Sequence, residues 1–111
     1  MLTWHTVNSN RQGGRPDWRD DSVEELLRAL GLLRSDEERA AFLRDLCTLA
    51  EIQAMAHRLA AARLVDRGVP YAEVAERVGG STTTVTRVAH WLRHGEGGYR
   101  LVLDRLARRR K

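Results

Sequence analysis

The amino-acid sequence predicts an all-α protein. Its 111 residues are enough for one domain with a single hydrophobic core. Three S/T-x-x-E motifs, which are typical of helix starts, divide the first half of the chain. Apolar residues recur at positions i, i+3, i+4 and i+7, the spacing of one helix face, and no useful length of chain alternates as a half-buried strand would.

The first 20 residues lack this apolar spacing. They mix Asn, Gly, Pro, Arg and Asp, a composition typical of segments that do not build a core. We therefore interpret residues 1–20 as a mobile N-terminal arm and residues 21–111 as the helical domain.

Three helices are predicted after the arm. Their starts are marked by capping boxes, in which a hydroxyl and a carboxylate accept hydrogen bonds from backbone N–H groups: Ser22 with Glu25, Ser35 with Glu38, and Thr48 with Glu51. Gly68 is expected to end the third helix, whose many alanines predict close contact with other helices. The apolar stripes of these three helices and of a last one are Val23, Leu26, Leu27 and Leu30; Phe42, Leu43, Leu46 and Cys47; Ile52, Met55, Leu59 and Ala62; and Tyr99, Val102, Leu103 and Leu106.

A helix-turn-helix is predicted over residues 70–94, with helices at about 70–78 and 81–94. This unit needs a small residue where its helices cross and a turn glycine with positive φ. Ala75 and Gly79 meet these two demands. The second helix must also turn apolar residues toward the first, and Val85, Val88 and Leu92 have the required spacing.

The second helix of this unit begins with hydroxyl side chains, in the run GGSTTTVTR over residues 79–87. Threonine is unfavourable in the interior of a helix, so a run of threonines lowers helix stability. The run therefore indicates a role other than folding. Short side chains let a helix N-terminus approach the DNA major groove, where hydroxyls bond base edges or phosphates. We predict base contacts from Thr82, Thr83, Thr86 and Arg87, and backbone contacts from Ser81, Thr84 and Arg93.

Positive charge concentrates beside the same motif. Residues 21–47 carry four basic and seven acidic side chains, whereas residues 48–111 carry twelve basic and six acidic ones. Eight of those twelve bases lie within residues 81–111. A polyanion such as double-stranded DNA is the partner that this distribution favours.

The run LCTLAEIQAMAHRLAAARLVDRGVPYAEVAERVGGSTTTVTRVAHWLRHGEGGY, residues 46–99, resembles the Trp repressor superfamily, and most of all its YerC/YecD (TrpR-related) branch. The resemblance extends over about residues 24–106. It implies an intertwined, all-helical homodimer with a helix-turn-helix on each side of a two-fold axis. A palindromic operator is the DNA site that such a dimer implies.

The resemblance also outlines a possible ligand pocket at His57, Arg87 and Val88. In tryptophan-binding members, two arginines hold the amino acid and a glycine leaves room for the indole. Arg87 matches one arginine, but His57 stands at the other position and Val88 at the glycine position. A valine would fill the pocket, and a histidine is a weaker, titratable substitute for a guanidinium. Tryptophan is therefore not expected to be the corepressor.

The remaining signals predict no enzyme, metal site or cofactor. His90 and His94 have the i, i+4 spacing of zinc ligands, but the sequence offers no nearby acidic or thiol partner with obvious ligand geometry. Acidic pairs such as Glu24 with Glu25 fall in first helical turns, where the helix dipole favours them. The single cysteine and the lack of an 18-residue apolar stretch or a signal peptide predict a cytoplasmic protein with no membrane association.

These observations together predict a transcriptional regulator, specifically a repressor, that binds DNA as a homodimer. Four alternatives stay open. The threonine-rich segment could be a solvated helix start, the helix-turn-helix could bind another protein, or a modified pocket could sense a small-molecule effector. A DNA-binding role outside transcription is the fourth.

Overall fold

The computed structural model describes residues 16–109, so most of the proposed N-terminal arm, residues 1–15, and the last two residues, 110–111, lie outside the described part. Six helices and no strand occur within residues 16–109, and the predicted all-α fold is confirmed. No helix there is both long and apolar enough to cross a membrane. The helices are α1 (Asp21–Gly31), α2 (Asp36–Leu46), α3 (Leu49–Asp66), α4 (Tyr71–Val78), α5 (Thr82–His94) and α6 (Gly98–Arg109).

The helices divide between two compact units. The N-terminal unit, Met1–Leu46, contains α1 and α2, and the C-terminal unit, Cys47–Lys111, contains α3 to α6. Neither α1 nor α2 contains a fully buried residue. All nine buried apolar residues of the described chain belong to the C-terminal unit, which therefore holds the hydrophobic core.

The N-cap of helix α1 lies two residues before the predicted one. Asp20, rather than Ser22, is the N-cap, and its carboxylate accepts a hydrogen bond from the Val23 N–H at 3.0 Å. The Ser22 hydroxyl donates to the same carboxylate at 2.8 Å. The predicted capping box at Ser22 and Glu25 is thus wrong, because a charged carboxylate two residues upstream is an equally good cap and also interacts with the helix dipole.

The other two predicted caps are present. The Ser35 hydroxyl accepts from the Glu38 N–H, but the Glu38 carboxylate accepts from the Arg34 N–H instead of the Ser35 N–H. Thr48 and Glu51 form the complete reciprocal box, with hydrogen bonds of 3.0 and 2.7 Å. The start of α3 is therefore determined by residues within one turn.

The core of the C-terminal unit lies where α5 crosses α3 and α4. Val74 of α4 and Val85 of α5 are completely buried, at 0% exposure. Alanines at the crossing leave room for the helices to approach closely, and the buried residues are Ala61, Ala62, Val65, Val74, Ala75, Val85, Val88, Ala89 and Leu103. Only the last turns of α3 contribute to this core, since Leu49 and Met55 in its first half are 53% and 39% exposed.

A bidentate ion pair joins α6 to the end of α3. Two guanidinium nitrogens of Arg100 each donate to a carboxylate oxygen of Asp66 at 2.8 Å, and Arg100 also pairs with Asp104 at 3.0 Å. The hydrogen bond from Arg100 is the main cause that lowers the pKa of Asp66 below its ordinary value. The paired carboxylates in turn raise the pKa of Arg100.

The turn between α4 and α5 depends on Gly79, as predicted. This residue has φ 78° and ψ 27°, the left-handed conformation, and its N–H donates to the Ala75 carbonyl at 2.9 Å. The Gly80 N–H donates to the same carbonyl at 3.0 Å. A glycine at this position lets the chain reverse within a few residues and start α5 at once.

We expect Gly79→Ala to destabilise the protein by about 1–2 kcal/mol, the cost of a left-handed conformation for a residue with a Cβ. Steric clash does not contribute, because no atom beyond the neighbouring residues lies within 4 Å of the added Cβ. Urea denaturation measures the change. Gly98→Ala is the matched control, since its added Cβ also meets open space and its φ is not positive. Equal losses in the two variants would contradict the conformational explanation.

We also expect the contribution of the Asp66–Arg100 pair to depend on pH. Because the folded-state pKa of Asp66 is lowered, the stabilisation is complete above the unfolded-state pKa of about 3.9 and is lost as the pH falls through the folded-state pKa. The difference in urea midpoint between wild type and Asp66→Asn should be constant from pH 7 to 5 and shrink below about pH 4. For Arg100→Gln, the difference in urea midpoint from wild type should depend on pH in the same way. A midpoint difference that stays constant down to pH 3 would contradict the assignment of this pH dependence to the Asp66–Arg100 pair.

Candidate nucleic-acid interface

Helix α5 begins at a serine cap directly after the glycine turn. The Ser81 hydroxyl accepts a hydrogen bond from the Thr84 N–H at 3.2 Å, and the Thr84 hydroxyl lies 3.2 Å from it. Ser81 itself has extended backbone angles, φ −105° and ψ 161°. The cap is local, so the sequence alone determines where this helix starts.

The predicted DNA-binding residues all lie on the exposed surface of the C-terminal unit. Inward positions of α5 are taken by Val85, Val88 and Ala89, at 0%, 3% and 2% exposure. A turn of 100° per residue places Thr83 and Arg87 on the opposite side of the helix. The exposed set is Ser81, Thr82, Thr83, Thr84, Thr86, Arg87 and Arg93.

These hydroxyl groups differ in the hydrogen bonds that they already make. The Thr86 hydroxyl donates to the Thr82 carbonyl at 2.9 Å, so its oxygen remains as an acceptor and its methyl group as an apolar contact. Within residues 16–109, the Thr82 and Thr83 hydroxyls make no side-chain hydrogen bond, and both can still donate and accept.

The arginines of the described chain differ in their partners. Arg28, Arg77 and Arg100 each pair with a carboxylate. No carboxylate within residues 16–109 pairs with Arg58 or Arg87, and Arg93 donates instead to the neutral Tyr71 hydroxyl at 2.9 Å. The surface near α5 therefore has positive charge that its own acidic residues do not neutralise.

An open cleft of about 370 Å³ lies beside α5. Arg87 and Val88, two of the three residues proposed for a ligand pocket, border it. The third, His57, borders a separate cleft of about 260 Å³, and Arg58 and Thr84 border both. The remaining residues that line the larger cleft are Trp91 and Tyr99.

Arg58, Trp91 and Tyr99 were not predicted as pocket residues. Arg58 adjoins His57 in the sequence, but helical periodicity cannot show which of two neighbouring residues of α3 borders a cleft formed with α5 and α6. Trp91 does give a signal in the sequence, because it follows Thr84 and Arg87 on one side of α5 at positions i, i+3 and i+7.

Two histidines extend the exposed side of α5. His90 and His94 are one turn apart, with ring centroids separated by 5.2 Å, and the His90 ring meets Trp91 edge to face. Among residues 16–109, no group of three His, Cys, Asp or Glu side chains could hold a metal ion. Both imidazoles are exposed and available to an anionic partner.

Comparisons with known proteins agree with this architecture. A family model described as Trp repressor protein matches residues 21–107. The uncharacterized protein YerC of Bacillus subtilis (strain 168) is 36% identical over 88 residues, which are 79% of this chain and 85% of YerC.

Two crystal structures have the same fold. A TrpR-like protein from Eubacterium eligens ATCC 27750 is 35% identical, with a TM-score of 0.74 over 78% of this chain and 89% of that chain. A proposed Trp repressor from Staphylococcus aureus is 34% identical, with a TM-score of 0.78 over 86% of this chain and 96% of that chain. The resemblance predicted from residues 46–99 is confirmed, and the chain belongs to the Trp repressor family.

Proposed function

We propose that this protein is a sequence-specific DNA-binding transcriptional regulator, a repressor, that acts as a homodimer on a palindromic operator. The observation that carries the proposal is the exposed side of α5. It presents Thr82, Thr83 and Arg87 without internal partners in the described chain, beside a glycine turn that places α5 across α4. In this proposal α4 and α5 form a helix-turn-helix, with α5 as the recognition helix.

Each part of this surface has a role in the proposal. The short threonines allow the first turn of α5 to approach base edges, and a threonine methyl can contact a thymine methyl. Arg87 donates two hydrogen bonds to a guanine, and Ser81, Thr84 and Arg93 bind the sugar–phosphate backbone. The positive end of the helix dipole also favours phosphate at this end of α5.

Membership in the Trp repressor family supports a DNA-binding regulator in general. It supports a regulator over an enzyme as well.

The homodimer is supported by apolar surface that one chain leaves uncovered. Leu26, Leu27 and Leu30 share one side of α1 and are 37%, 39% and 41% exposed, and Leu32 is 74% exposed. Monomeric proteins rarely expose a continuous apolar face, because water contact with it is unfavourable. A second copy of the chain is the occupant that we propose for this face, since a two-fold symmetric contact covers the same apolar face on both copies at once.

The experiment that tests the function is selection of duplexes from a random library by purified protein, without added ligand. An enriched palindrome, with half-sites about one DNA turn apart, is the expected result. Salt-sensitive binding without sequence preference would contradict specific recognition. Failure to bind duplex DNA, together with a stable complex with another protein, would instead support the protein-interaction alternative.

Arg87→Ala should weaken operator binding by about 1–3 kcal/mol and relax the preference at one base position in each half-site, because the bidentate contact to guanine is lost. Fluorescence anisotropy on the selected operator and on single-base variants measures both effects. Arg105→Ala, which removes an exposed arginine from α6, is the control for loss of charge alone. Unchanged operator affinity and specificity in Arg87→Ala would contradict a base contact.

Leu27→Glu should shift the protein from dimer to monomer, because a buried carboxylate without a partner is costly. Light scattering during size-exclusion chromatography measures the mass, and circular dichroism checks that the helices remain. Arg28→Gln changes the net charge by the same amount on the same helix, and it should remain dimeric. A wild-type protein that is monomeric at high concentration would contradict the homodimer.

A second candidate function is regulation by a small-molecule effector in the cleft beside α5. The specific observation is the open cleft of about 370 Å³, whose lining combines two arginines, Arg58 and Arg87, with Trp91 and Tyr99. A small anion with an aromatic or apolar part suits this lining. The resemblance places Val88 where tryptophan-binding members have a glycine, so tryptophan itself is not the expected effector. Saturable thermal stabilisation by a metabolite, with a change in DNA affinity, would support this candidate.

A further inference from the structure

A hydrogen bond joins the last turn of α5 to the first residue of α4. Arg93 Nη1 donates to the Tyr71 hydroxyl at 2.9 Å, between residues 22 positions apart in the chain. The Tyr71 ring is partly buried and packs against the core cluster, whereas Arg93 is exposed. The packed ring therefore holds the hydroxyl in place as a support for the exposed guanidinium.

The two side chains keep hydrogen-bond donors that the described chain does not use. A phenol accepts and donates, so a Tyr71 oxygen that accepts from Arg93 still has its own proton to donate. Arg93 has four further N–H donors and no carboxylate partner within residues 16–109, although Arg77 of α4 pairs with Glu73. A fixed cation next to an O–H donor is a donor set that suits a phosphate group.

We propose that Tyr71 and Arg93 together bind one backbone phosphate of DNA at the edge of the α4–α5 unit, with Tyr71 as the residue that positions Arg93. This inference rests on the proposed DNA binding and adds a contact outside the predicted set. Because Tyr71 already restricts the Arg93 side chain, Arg93 loses less conformational entropy when DNA binds. Its hydroxyl also donates to the same phosphate.

Anisotropy titrations of the selected operator at several salt concentrations test the proposal with Tyr71→Phe, Arg93→Gln and the double variant. Arg93→Gln should lower the slope of log K against log salt by about 0.9 per protomer, the value for one phosphate contact, and weaken all DNA sequences alike. Tyr71→Phe keeps the ring and loses the hydroxyl, so it should weaken binding about 3- to 10-fold. In the Arg93→Gln background it should weaken binding by clearly less than in the wild-type background, because Tyr71 then has no guanidinium to position and only its own hydrogen bond to the phosphate is lost.

Melting temperatures separate this role from a structural one. If Tyr71 only stabilises the fold, Tyr71→Phe will lower the melting temperature and leave operator affinity and the salt slope unchanged, which would overturn the proposal. Additive losses in the double variant would overturn it as well. Arg105→Gln, a loss of one exposed charge on α6, should keep the wild-type salt slope.

The same titrations distinguish failure of this inference from failure of the proposed function. If the wild-type protein binds an operator but the variants behave additively, only the phosphate contact is wrong. If the wild-type protein binds no DNA, both proposals are wrong.

Discussion

The crossing of α5 over α3 and α4 is the constraint on which the rest of the C-terminal unit depends. Val74 and Val85 are completely buried there, and Ala61, Ala62 and Ala75 keep the helices close. A larger side chain at an alanine position would force α5 away from its neighbours. Because the inner side of α5 is held by packing, the position of its outer side within the C-terminal unit is determined as well. The exposure of the threonine run on the surface therefore follows from the packing of the core.

Polar side chains in this chain divide between folding and surface roles. Ser81 caps α5, and Thr86 bonds back to Thr82, so both contribute locally to the helix that carries them. The arginines divide in the same way. Arg100 joins two helices through Asp66, whereas Arg58 and Arg87 have no carboxylate partner in the described chain and border the surface beside α5. The surface beside α5 therefore keeps positive charge that no carboxylate of the described chain neutralises, which suits a polyanionic partner.

The two units differ in how much of their apolar surface is buried within a single chain. The C-terminal unit buries a core of nine apolar residues, whereas α1 and α2 bury none, although α1 has a clear apolar side. A chain of this size has little interior volume relative to its surface. The proposed homodimer would resolve this imbalance by covering the apolar side of α1, and it would make dimerisation and folding interdependent.

Features that depend on residues within a turn or two of each other could be predicted from the amino-acid sequence. The all-α fold, the capping box at Thr48 and Glu51, the left-handed turn at Gly79 and the exposure of Thr82, Thr83 and Arg87 all follow from local spacing. Local rules fail even at short range where two caps compete, as at Asp20 and Ser22.

Contacts between side chains far apart in the chain could not be predicted in this way and became visible in the folded structure. The Asp66–Arg100 pair spans 34 positions and the Tyr71–Arg93 hydrogen bond spans 22. The same holds for the cleft, where Arg58 of α3, and not its neighbour His57, lies across from Arg87. These contacts depend on the angles and rotations at which helices pack, and helical periodicity specifies the buried side of a helix without specifying which residue of another helix lies next to it.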